Sequence, residues 1–259
     1  LRGTNSKAIE LSANHAVIKN NTVDRKISIN GDYNTITDNN VTSTLDLYAV
    51  DLIAGYSSLG YNTVVNNYLV TGGFKGNAAV NYTQRTNIVE NNTPETLSIE
   101  VDDTNFNNFF DSEGNLLPSF KNVEQIQIVG TLTNKNIKVN KEISIFQTNK
   151  KLTSYNITIT TTENGRVDVN SLIIVNNNKK PVIILNSLNN KIEKTNLKTD
   201  NTYTITTTKT NNTIINNELV ADILVGDESV DAPADNTLTG NTPTYINYLL
   251  SNKTYDKYF

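Results

Sequence analysis

A six-residue phrase, Asn62-Thr63-Val64-Val65-Asn66-Asn67, constrains this chain more than any other stretch, because it comes back. It returns as Asn212-Thr213-Ile214-Ile215-Asn216-Asn217, changed only from valine to isoleucine. Looser copies stand at Asn34-Thr35-Ile36-Thr37-Asp38-Asn39, Asn87-Ile88-Val89-Glu90-Asn91-Asn92 and Asn236-Thr237-Leu238-Thr239-Gly240-Asn241. A weaker copy is His15-Ala16-Val17-Ile18-Lys19-Asn20, with His15 in the place of the leading asparagine. Each copy is a short apolar run followed by an asparagine pair where the backbone turns. Self-similarity at roughly 19 to 28 residues is the signature of a solenoid, whose units bury their apolar faces only by stacking.

Composition agrees with that reading. Apolar residues make up 37% and charged residues 19%, and 44 asparagines and 35 threonines fill the gap. Disorder would bring high net charge and few β-branched residues, whereas here the net charge is −4 and Ile, Val and Thr are abundant. Stacked coils bury few side chains per rung, and inward asparagines can hydrogen-bond from rung to rung as ladders. The turn asparagines expected to do so are Asn39, Asn66, Asn67, Asn91, Asn92, Asn216, Asn217 and Asn241. With no cysteine there is no disulfide framework and no Cys-based metal site or nucleophile. No apolar run approaches the ~20 residues of a membrane span, and the mild acidity without a basic stripe argues against nucleic acid. The chain opens on Leu1, which reads as a piece of a longer exported protein.

Residues 1–96 alternate apolar runs of about 3 to 6 residues with Asn/Asp/Gly/Thr turns, a strand pattern, and read as the C-terminal part of a first β-helix. Residues 97–118 change character. Phe106, Phe109 and Phe110 fall at i, i+3 and i+4, one face of a helical turn, which Asp103 or Thr104 could cap. We read this stretch as a linker with an aromatic helical cap over the open end of a stack, since solenoids require capped ends. Residues 119–246 resume the strand pattern as a second β-helix, and the continuous runs Leu172–Val175 and Val182–Leu185 suggest strands shielded on both sides.

A longer period overlays the first. Asn92-Thr93-Pro94 recurs as Asn241-Thr242-Pro243, an offset of 149, and at that offset Phe106, Phe109 and Phe110 become Tyr255, Tyr258 and Phe259. Residues 247–259 are therefore the start of the next cap. The expected fold is all-β: a right-handed parallel β-helix (β-solenoid) in two stacked repeat units separated by a short helical cap.

NTVVNN, NTIINN, the Asn/Thr-rich rungs and the phrase TNFNNFFDSEGNLL from Thr104 to Leu117 resemble the adhesin-like cell-surface proteins of methanogenic archaea. Those are large exported proteins built of right-handed parallel β-helix repeats of the pectate-lyase-like superfold. The resemblance covers essentially the whole chain. It implies an extracellular, cell-surface location and a repeat module acting as stiff spacer and display surface. Its partners would be neighbouring repeats and a surface ligand, a glycan or protein of another cell or of the envelope. It carries over no catalytic residue, cofactor or metal.

Two other classes share such coils: polysaccharide lyases or hydrolases, which need clustered carboxylates, and tailspike-like fibres. The acidic candidates are Asp102, Asp103, Asp111, Glu113, Asp222, Asp227, Glu228, Asp231 and Asp235, read as solvated loops. His15, the one histidine, reads as a turn residue. Tyr48, Tyr56, Tyr61, Tyr68 and Tyr82 could stack on sugars if exposed. Of seven N-x-[ST] sequons, Asn81 is taken as an exposed loop site for a glycan.

Overall fold

The computed structural model describes residues 7–44, 46, 48–52, 60–71, 80–82, 86–93, 97–226, 235–242 and 246–248. They form an all-β solenoid of parallel strands, organised as two compact units: Leu1–Val101 with Leu117–Gln127, and Asp102–Leu116 with Ile128–Phe259.

In the first unit the chain lays down one strand on each of three faces and then starts the next rung. The first face carries Lys7–Leu11, Lys26–Ile29, Val50–Asp51, Val80–Tyr82 and Leu97–Val101 in that order. The second carries Val17–Lys19, Thr35–Thr37, Thr63–Val65 and Ile88–Glu90, and the third Thr22–Val23, Asn40–Ser43 and Tyr68–Thr71. Ile18, Ile36, Val64 and Val89 stand in one register column, so successive rungs take 18, 28 and 25 residues. Strand lengths barely change, so the variation is absorbed at the corners. Side chains alternate: Ile36 and Val64 are fully buried while Thr35, Thr37, Thr63 and Val65 are half-exposed, the period-two pattern of a strand with one buried face. Each such buried aliphatic contributes on the order of 2 kcal/mol of apolar transfer.

The second unit repeats the scheme. One column of its core is isoleucine throughout: Ile137, Ile159, Ile183, Ile205, Ile223 and Ile246. A second column runs Ile145, Val169, Ile192, Ile214, Leu238, and a third Ile174, Leu197, Leu219. β-Branched residues suit this stacking because their restricted χ1 loses little in a strand. The runs at 172–175 and 182–185 are not shielded on both sides: Ile173, Val175 and Ile184 are half-exposed and alternate with buried Leu172, Ile174, Ile183 and Leu185.

The stretch read as linker and cap divides between the two units. Leu97–Val101 is a strand of the first unit, hydrogen-bonded through Leu97 N–H to Asn122 O at 2.9 Å. Phe106–Phe109 is one helical turn in the second unit. It is not capped by Asp103 or Thr104: Asn105 is its N-cap, and Asp102 Oδ1 instead accepts from Thr104 N–H at 2.8 Å and Thr104 Oγ1 at 2.6 Å. Segment 102–116 lies along the first rung of this unit. Asp103 N–H donates to Thr131 O at 3.1 Å, Lys138 N–H donates to Gly114 O at 2.8 Å, and Asn115 pairs with Lys138 in parallel. Strand Asn136–Val139 thus meets this segment on one edge and Thr158–Thr161 on the other. Phe106, Phe109 and Phe110 are all buried, with the Phe106 and Phe110 rings 4.3 Å apart and Lys135 Nζ 5.1 Å from the Phe106 centroid. Gly114, at φ +86, makes the approach possible: a Cβ there would sit 2.2 Å from Asn136 O. Tyr255, Tyr258 and Phe259 lie outside the described residues.

Candidate functional site

The asparagine pairs divide into two roles. The second member of each pair forms a ladder and, Asn21 aside, is buried. In the first unit, Asn21, Asn39 and Asn67 each donate through N–H to Oδ1 of the next rung's asparagine, at 3.0, 2.9 and 3.0 Å, ending on Asn92. Their Nδ2 groups donate to the same oxygens at 3.1, 2.9 and 2.9 Å. Asn67 Nδ2 also reaches Ile36 O and Val65 O, both at 3.0 Å. A parallel ladder at the preceding corner links Ala16, Asn34, Asn62 and Asn87 through N–H···Oδ1 bonds of 2.9 Å. In the second unit Thr195 N–H donates to Asn217 Oδ1 and Asn217 N–H to Asn241 Oδ1, at 3.0 and 3.1 Å. Asn190, Asn212 and Asn236 form the companion ladder at 2.9 and 2.8 Å.

The first member of each pair makes the corner. Asn66, Asn91 and Asn216 are exposed and left-handed, at φ 58, 57 and 56, as are Asn20, Asp38, Lys194 and Gly240 at the equivalent positions. Asn and Gly tolerate that region best. One placement differs from the sequence reading. Val17 stands opposite Thr35 and Thr63, so Ala16, not His15, aligns with Asn34 and Asn62. His15 aligns with Tyr33 and Tyr61, all left-handed, and the three rings stack at 4.9 Å with interplanar angles of 10° and 4°. Tyr61 is 57% exposed, but one face is covered by Tyr33, which leaves the inner ring of the stack no face for a sugar. Tyr68 is exposed, Tyr48 is buried, and Tyr56 and the Tyr82 side chain lie outside the described residues.

A second constellation was not legible in the sequence. On the outward side of the first face, Ser28, Asp51, Asn81 and Ser98 occupy one register column. Lys26 Nζ sits 3.3 Å from Asp51 Oδ2, and Asn81 Nδ2 donates to Glu100 Oε1 at 3.0 Å and to Asp51 Oδ1 at 3.4 Å. The Tyr48 hydroxyl donates to Gln127 Oε1 at 2.5 Å, and burial together with the Glu100 charge pushes its pKa well above the usual tyrosine range. Asn81 is therefore not an exposed loop site. It is 1% exposed on strand Val80–Tyr82 with its amide nitrogen engaged by two carboxylates, and a glycan has no access to it.

Burial also raises the Glu100 pKa above 4.5, with Asp51 adding to the rise while Asn81 and Lys26 oppose it. The sign follows by linkage: the unfolded chain gives up this proton first, so folding stability falls as pH rises from 4.5 through the higher native value. Glu100→Gln, whose Oε1 can still accept from Asn81, is expected to be more stable than the parent at neutral pH and to lose that advantage below pH 4.5. Urea unfolding across that range checks it, and an advantage independent of pH would exclude a titrating Glu100 as the cause.

The acids singled out in the sequence act as turn and rung braces. Asp111 accepts from Glu113 N–H, Asn115 N–H and Asn115 Nδ2, all at 2.9 Å, and bonding to Asn115 above all holds its pKa low. Glu113 pairs with Lys138 at 2.9 Å, Asp103 Oδ1 accepts Thr133 N–H at 2.8 Å, and Asp222 Oδ2 accepts Asn247 Nδ2 at 2.6 Å. Asp235 accepts Asn211 N–H through its backbone carbonyl, and Asp227, Glu228 and Asp231 lie outside the described residues. Among the described residues no three His, Asp or Glu side chains are grouped to hold a metal ion, and no helix is long and apolar enough to cross a membrane. No family model matches the chain, and no curated protein or solved structure matches it.

Proposed function

We propose that this chain is a repeat segment of a large adhesin-like or envelope protein of the cell surface, acting as a stiff spacer and display surface for attachment. The observation that carries the reading is the pair of asparagine ladders in each unit, by which successive rungs bond backbone amide to asparagine side chain. Such a device extends a stack without needing a ligand, and nearest-neighbour coupling lets rungs be added in series. Attachment then comes from many weak contacts adding through effective concentration. The resemblance to archaeal adhesin-like repeats and the 149-residue recurrence support the same role. Brief protease treatment of intact cells that make the parent protein should release fragments carrying NTVVNN; recovery only after lysis would end the reading.

One observation favours a second reading, a polysaccharide-active enzyme: Asp51 and Glu100 share one sheet face with Lys26. Against it, the Asp51 side chain is only 13% exposed. Turnover of any polysaccharide that disappears in Asp51→Asn would put the enzymatic reading in place of the spacer.

A further inference from the structure

An open groove of about 420 Å³ runs along one corner of the second unit, within the size range of small-molecule sites. Two columns build it. Ser171, Lys194 and Asn216 occupy the corner on three successive rungs, and Ile173, Asn196 and Glu218 stand beside them in strand register. Two rung steps span ~10 Å, the length of a short oligosaccharide, and Lys150 closes one side.

Three features give the groove a chemistry. Ser171, Thr195, Asn196 and Asn216 line it with hydroxyls and amides beside half-exposed Ile173, which suits a hydroxyl-rich ring with a less polar face. It is cationic. Glu218 is engaged by Asn196 Nδ2 at 2.5 Å, and neighbouring Glu193 is held by Lys191 at 2.9 Å. Lys150 and Lys194 set two ammonium groups in the lining against the single carboxylate of Glu218, and the Lys194 charge also acts on Glu193. Finally, Lys194 is left-handed at φ 55, in the column where Asn216 and Gly240 stand on the next rungs. Lysine is a poor choice there on stability grounds, and backbone strain of this kind collects where function needs a side chain.

We infer that this groove binds an anionic oligosaccharide, its uronate carboxylates held by Lys150 and Lys194 and its hydroxyls by Ser171, Asn196 and Asn216. This rests on the surface-attachment reading and names the class of ligand that a display surface of this kind would take. A peptide is the poorer fit, because extended peptides add a strand at a free sheet edge or fill apolar pockets, and Ile173–Asn176 and Asn196–Thr199 under this groove are paired on both edges.

The test is calorimetric titration of the purified chain with a galacturonate oligomer, its neutral methyl ester and a poly-glutamate peptide. The acid sugar should bind, with affinity falling as salt rises, and the neutral ester should bind at least about tenfold more weakly, as expected for lost charge-assisted hydrogen bonds. Lys194→Asn and Lys150→Gln should each weaken binding by about tenfold, while Lys19→Gln, a lysine of the first unit paired with Asp38, should not. Lys194→Asn also separates binding from folding, because asparagine suits the corner: its melting temperature should match or exceed the parent's while affinity drops. No binding of the acid sugar, equal binding of ester and acid, unchanged affinity in both groove variants, or equally tight binding of poly-glutamate would each overturn the inference. None of these outcomes bears on whether the parent protein is released from intact cells, so the two readings fail separately.

Discussion

Asn67→Ala is expected to destabilise the first unit by about 3–4 kcal/mol, the sum for two or so buried polar groups left unsatisfied. The Asn67 side chain accepts from Asn39 N–H and Asn39 Nδ2, and donates to Asn92 Oδ1, Ile36 O and Val65 O. Alanine leaves the buried Asn39 amide and the Ile36 carbonyl without the partner that satisfied them. Its neighbour in sequence behaves differently. Asn66 is exposed at φ 58, so Asn66→Gly should change stability by no more than about 0.5 kcal/mol, as surface changes usually do. Asn66→Ala should cost about 1 kcal/mol for the left-handed backbone alone. Urea unfolding of the three variants decides the matter. Similar losses at both positions would mean that the ladder adds nothing beyond the turn.

That contrast also marks how far the sequence could be read. NTVVNN announces a strand and a turn because its alternation and its asparagine pair are local, and both survive as local structure. Strand alternation alone would turn Asn66, two residues beyond buried Val64, inward; its left-handed backbone makes the corner instead, and Asn67 faces the core. Register is also why Asp51, Asn81 and Glu100 escaped notice. They are 30 and 19 residues apart, on rungs whose lengths vary with their corners, and no fixed spacing links them. The same slippage hid the partners of His15, because a one-residue offset changes which residues stack. The sequon at Asn81 misled for a different reason: N-x-T describes a strand as readily as a loop, and only the neighbouring carboxylates show that this amide is enclosed. The groove at Lys194 was invisible for want of both register and the corner geometry that aligns it with Ser171 and Asn216.

Phe109→Ala is expected to cost about 3–5 kcal/mol, the range for removing a fully buried phenylalanine, and where the loss falls matters as much as its size. Phe109 is fully buried in a helical turn of four residues, far too short to persist by itself. What holds segment 102–116 in place is its burial together with backbone links to the first rung at Thr131 and Lys138 and the Asp103 carboxylate's bond from Thr133 N–H. Without the ring those links hold a segment with little apolar area left to bury. Coupling in a solenoid passes only between neighbours, so the damage should be graded. Amide exchange should quicken most in Asn136–Val139, which loses a partner along one edge, and least in Asn196–Thr199, which keeps Ile173–Asn176 on one side and Glu218–Leu219 on the other. Phe109→Leu, which keeps most of the volume, should cost less than about 1.5 kcal/mol and leave the exchange pattern unchanged. Uniform loss of protection along the unit would mean that Phe109 supports a single cooperative core. A loss confined to 102–116 would make that segment an accessory on the surface, and the aromatic triplet would then no longer mark the end of a stack.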